Sequence, residues 1–175
     1  MQWHDMLADG YGRVQEFMEN VLRGLSQEDL DWQPSGDCNP IGWLTWHLAR
    51  QQDIQIASLM GKDQLWIQEG WHSKFNRAAD PYDIGFGHSP EQVAAFKSPD
   101  IETLLGYHHA VMERSKQYFP TLSSTDLERE IDEPWFQPKP TVGVRLVSIL
   151  EDGLLHAGQA AYIRGLRHGK GWQPY

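Results

Sequence analysis

Apolar residues recur along this chain with the 3.6-residue period of amphipathic helices, and four long segments carry most of the signal. The first runs from about Gln2 to Gly24, with Tyr11, Val14, Phe17, Met18, Val21 and Leu25 on one side and Gly24 placed to end it. Ser26 and Asp29 then have the spacing of a capping box, which predicts a short helical turn. Asn39-Pro40 reads as an N-cap followed by proline at the first helical position, opening a second helix that ends near Gly61. Ile41, Leu44, Leu48, Gln51 and Ile54 recur along its inner face. A third helix follows Ser98-Pro99-Asp100, carries Ile101, Leu104, Leu105, His108, Val111, Met112 and Phe119, and stops at Pro120. Thr141 caps a fourth that reaches about Arg167, with Val142, Leu146, Ile149, Gly153, Ala160 and Ile163 along its apolar stripe.

The pattern between these helices is irregular. Residues 62–89 hold Gly70, Pro81, Gly85 and Gly87 beside Trp66, Trp71, Phe75 and Phe86 without a sustained period, which predicts a long loop. Such a loop in a compact domain is functional or packed over something. Ser89-Pro90-Glu91 starts a short helix, and Ser123 to Pro140 reads as a second long connection. Only a weak alternation at Glu130 to Glu133 competes as strand, so the expected class is all-α, a four-helix bundle with long inter-helix loops.

Length and charge narrow the function. A chain of 175 residues is expected to form one domain over 1–175. The net charge of -9, with no cluster of Lys and Arg, argues against a nucleic-acid partner. Apolar runs fall far short of the roughly 20 residues that span a bilayer, and Met1-Gln2-Trp3-His4-Asp5 opens no signal peptide, so no membrane partner and a cytoplasmic location are expected. The single cysteine, Cys38, excludes an intramolecular disulfide and has no CxxC spacing. Nucleophile-elbow, P-loop and dinucleotide glycine motifs are absent from the sequence.

Candidate chemistry sits on two of the helices. Asp152 and His156, four residues apart, share one helix face, and His47 points inward from the second helix. Together they reach the three donors that a metal site needs, and oxygen and nitrogen ligands without thiolate suit zinc, nickel, iron or manganese. The competing reading makes them core residues satisfied by hydrogen bonds. His108 also lies on an apolar face and can replace or join the set, whereas Glu151 points about 100° away from Asp152. His4, His72, His88 and His168 lie near a terminus or in loops and read as solvated, with His109 more exposed than His108. Trp43, Trp46, Trp66, Trp71 and Trp135 are expected in the core or an interface, and a loop tryptophan from 62–89 closing over the site is the sharper alternative.

The Asn39-Pro40-Ile41-Gly42-Trp43-Leu44 segment leading to Trp46-His47-Leu48, and the Thr141-Val142-Gly143-Val144-Arg145-Leu146 run into His156-Ala157-Gly158-Gln159, resemble the DinB superfamily over nearly the whole chain. The chain is similar to its mycothiol-dependent maleylpyruvate isomerases and bacillithiol transferases. The resemblance implies an up-down-down-up four-helix bundle, often a homodimer, with a divalent metal held by a histidine triad. His47 and His156 match that triad, while Asp152 stands where many members carry histidine. It implies a metal that activates a low-molecular-weight thiol such as mycothiol toward a small-molecule substrate, hence an S-transferase or isomerase. In that setting Gln159 can support a ligating imidazole, and Arg145 or Arg164 can meet a substrate carboxylate. A metal hydrolase with Asp152 or Glu151 as base, and a bundle that binds a small ligand without catalysis, are the alternatives.

Overall fold

The computed structural model describes residues 1–173, whose regular elements are all helices; Pro174 and Tyr175, at the end of the expected 1–175 domain, lie outside them. In chain order the helices are α1 (Trp3–Leu22), α2 (Gln27–Asp31), α3 (Ile41–Met60), α4 (Leu65–Gln68), α5 (Trp71–Lys74), α6 (Pro90–Ala95), α7 (Ile101–Tyr118), α8 (Ser124–Glu128) and α9 (Val142–His168). The expected starts hold where side chains satisfy free N–H groups. Ser26 accepts from Asp29 N–H in a capping box, Asp100 accepts from Thr103 N–H, and Thr141 accepts from Val144 N–H. One differs. Pro40, not Asn39, is the N-cap of α3, because its extended backbone (ψ 163°) keeps it outside the first turn.

Four long helices form the bundle. α1 and α3 each pack against both α7 and α9, so α1 lies across the bundle from α3. The first ten residues of α3, from Ile41 to Arg50, are all buried, because other elements cover the helix on every side. Burying a side chain the size of Leu44 or Trp46 contributes roughly 1.5–3 kcal/mol, and α3 buries several. The predicted strand at Glu130 to Glu133 reduces to an isolated bridge between Glu130 and Thr141, the only pairing of this kind among the described residues. No helix among the described residues is long and apolar enough to cross a membrane.

The two long connections carry structure of their own. Residues 62–89 contain α4 and α5 and turn Trp66, Trp71 and Phe75 inward onto Tyr107, while Tyr82 and Phe86 stay exposed. α8 occupies the start of the second connection, which then crosses the surface and exposes Trp135 and Phe136.

Candidate metal centre

α3 and α9 form the most extensive helix contact in the molecule, and the candidate ligands face each other across it. His47 is buried on α3. Asp152 and His156 sit one turn apart on α9, with side chains 24% and 13% exposed. Donor atoms of the three all lie within 4.8 Å of one another. The two imidazoles meet edge to face at 4.7 Å, and Trp43 stacks on the other side of His47 at 4.8 Å.

Both rings are oriented by the nitrogen turned away from the centre. The Nδ1–H of His47 donates to the Ile84 carbonyl, and that of His156 donates to Gln159 Oε1 at 2.8 Å. This assignment leaves each Nε2 with a lone pair. His156 Nε2 stands 3.4 Å from Asp152 Oδ1. Two acceptors so placed repel unless a proton or a metal cation lies between them, so the donor set fits a divalent ion. Proton affinities show the same preference for positive charge at the α9 side. Burial lowers the pKa of His156, but hydrogen bonds to Asp152 and Gln159 outweigh it and raise the net value. Burial dominates at His47, whose pKa falls despite the Ile84 bond.

The segment around Ile84 roofs the site. Gly85 lies so close to the α3 rings that an added Cβ would fall 2.6 Å from Trp43, 2.9 Å from Trp46 and 3.2 Å from His47, and its φ of +89° is itself unfavourable for other residues. Phe86, Gly87 and His88 continue the roof of a cavity of about 370 Å³ that opens onto His47, Asp152 and His156. His88 therefore is not the solvated loop residue expected. Its Nδ1 accepts from Trp43 Nε1–H at 3.2 Å and its Nε2–H donates to Asp83 at 3.1 Å, which leaves it no lone pair for a metal.

A buried polar network fixes that roof from below. Arg50 and Asp53 are both fully buried. Arg50 donates to the carbonyls of Asp83 (3.1 Å) and Pro81 (3.0 Å) and to Gln64 (2.8 Å). Asp53 accepts from the backbone N–H of Leu65 (3.0 Å) and Trp66 (2.8 Å) and from the Tyr107 hydroxyl (2.8 Å). A helical arginine and aspartate three apart look like a solvated pair in sequence. Their position beyond Trp46-His47, on a helix without a clear polar face, is the signal that could have exposed them.

The remaining expectations sort cleanly. His108 is buried in α7, and its Nδ1 finds no hydrogen-bond partner among the described residues; it is not grouped with the three. Glu151 is exposed and borders a shallow depression with Val144 and Val147 on the outer face of α9. Arg164 donates to the carbonyls of Asn20, Val21 and Arg23 at the end of α1, and Arg145 pairs with Glu133 and Gln55. Trp43, Trp46, Trp66 and Trp71 are core residues and among them only Trp43 borders the site, so Trp66 and Trp71 do not close over it, and the aromatic loop residue at the cavity is the exposed Phe86.

A family model for the DinB superfamily matches residues 11–160, most of the chain. The chain belongs to the DinB superfamily. Membership agrees with the helical bundle and with His47 and the α9 pair at its centre. A crystal structure described as that of a conserved protein of a locus from Enterococcus faecalis is similar over 97% of this chain and 99% of that one, with 30% identity and a TM-score of 0.89. No curated protein matches.

Proposed function

We propose that His47, Asp152 and His156 hold a divalent ion (zinc, nickel, iron or manganese), and that the protein is a metal-dependent S-transferase or isomerase using a low-molecular-weight thiol of the mycothiol type. The observation that carries this reading is the convergence of two Nε2 lone pairs and a carboxylate while both Nδ1 positions are occupied. Bound there, such an ion supplies a Lewis acid that lowers a thiol's pKa and so provides thiolate near neutral pH. The chain's own residues do the rest. Ile84 and Gln159 hold the imidazoles in register, Trp43 and Gly85 exclude water from the buried side of His47, and the partly exposed Asp152 leaves the cavity side open to a ligand.

Elemental analysis of protein purified without chelator tests the site. One ion per chain is expected in the wild type and none in His47→Ala/His156→Ala, while Gln159→Ala weakens metal affinity about tenfold or more. Thiol-dependent turnover of electrophiles by the loaded protein then supports the reaction class. Hydrolysis without thiol would replace it with a metal hydrolase, and failure to bind metal after reconstitution would leave a small-ligand-binding bundle.

The proposed assembly is a homodimer. Val144, Val147, Leu154, Leu155, Tyr162 and Leu166 are all more than half exposed and recur at helical spacing along the outer face of α9. A second copy packed there would bury them, and a mass of two chains by light scattering, reduced to one by Leu154→Glu, is the expected result.

A further inference from the structure

A second cavity, about 950 Å³, runs beside the first. Gln51 and Phe86 line both, so the two spaces adjoin each other one helical turn from His47. Its floor is a face of α3, where Gln51, Ile54, Gln55 and Ser58 follow the helical period toward Lys62. The ten helical residues from Gln51 to Met60 give the groove a length of about 15 Å.

The walls are aromatic and come from the two long connections. Tyr82 and Phe86 (81% and 84% exposed) stand on one side, and Trp135 and Phe136 (73% and 50%) line the same space from the other connection. Four large rings with little role in the core border one space, which points to a ligand that covers them. The ionic groups of the lining balance in sign, Lys62 and Arg145 against Asp63 and Glu133, so the groove favours no formal charge.

One polar group gives the groove direction. Arg145 can only donate, so Gln55 Oε1 must accept from it, at 3.0 Å. Gln55 then presents Nε2, which donates to Gln51 Oε1 at 3.2 Å. The relay therefore fixes the Gln51 amide with its NH2 group free: no acceptor for it occurs among the described residues, and Gln51 borders the junction of the two cavities.

We infer that this groove binds the organic substrate, an elongated, uncharged aromatic carbonyl compound. Its oxygen accepts from the Gln51 amide, and its rings lie between Tyr82 and Phe86 on one side and Trp135 and Phe136 on the other. The inference deepens the thiol-transfer reading and rests on it for the chemistry at the His47 end.

The test is a pair of ligands titrated into metal-loaded protein and followed by amide NMR: 4-acetylbiphenyl, and 4-ethylbiphenyl, which lacks the carbonyl. The ketone is expected to bind about tenfold more tightly, the effect of one hydrogen bond to a fixed donor. Gln51→Leu removes that difference and leaves the hydrocarbon's affinity unchanged, whereas Trp135→Ala/Phe136→Ala weakens both ligands. Shifts centred on the outer face of α9, equal affinities in the wild type, or no saturable binding would overturn the inference. Metal content measured on the same samples separates the two readings, because loss of the metal site leaves the Gln51 and Trp135 effects in place.

Discussion

The two long connections look alike in sequence and are held by opposite means. Residues 62–89 are fastened from inside the bundle, by the fully buried Arg50 and Asp53 bonding to main-chain groups at 65, 66, 81 and 83. Residues 129–141 have no buried charge clamp and are held by one isolated bridge, Ile131 packed on the core edge, a Lys139–Asp132 pair at 2.8 Å whose aspartate is 89% exposed, and the part-buried Arg145–Glu133 pair. A loop clamped by buried charge can hold a carbonyl against His47 as firmly as a helix would. A loop tied by one exposed and one part-buried pair is held less firmly and can move aside for a ligand.

The largest expected effect is at the clamp. Asp53→Ala strips Arg50 of its buried counter-charge and leaves two N–H groups and the Tyr107 hydroxyl without an acceptor, so a loss of about 3–5 kcal/mol is expected in urea unfolding. Proteolysis within residues 62–89 should appear at the same time; cleavage first within 129–141 would undo the contrast.

Acid sharpens it next. Burial, with His109 beside it, pushes the His108 imidazole down to about 4, below the unfolded value near 6.5. A depressed folded value means the stabilisation is complete above about pH 6.5 and is lost as pH falls toward 4, by about 3 kcal/mol in all. His108→Leu should flatten that slope between pH 7 and 4. The exposed Asp132, whose pKa Lys139 lowers, keeps its charge over the same window, so the outer connection adds little to the acid response.

The smallest effect belongs to the outer tie. Glu133→Gln is expected to change stability by less than about 1 kcal/mol in the same urea measurement. A larger loss would mean that the Arg145 relay also supports the bundle.

The helices were legible because each is long enough to repeat its apolar face several times, and His47, Asp152 and His156 were legible because they sit on those faces. His88 was not. It directly follows Gly87, in a segment without a period, and its burial comes from Trp43 and Trp46 some forty residues earlier in the chain. Arg50 and Asp53 were hidden for the opposite reason, since charge on a helix reads as solvent contact unless one knows that α4 and the Pro81–Asp83 backbone cover that face. The starts of α4 and α5 also escaped, because four-residue helices are too short to show a period. Register along a helix is local information; what folds over it is not.

The two imidazoles at the centre also differ in what inheritance can do to them. His156 leans on the side chain of Gln159, which a single codon change can remove or replace. His47 leans on the carbonyl of residue 84, which every amino acid carries. Variation among descendants of this chain is thus free to retune one nitrogen ligand residue by residue, while the other can be altered only by rerouting the backbone that passes over it.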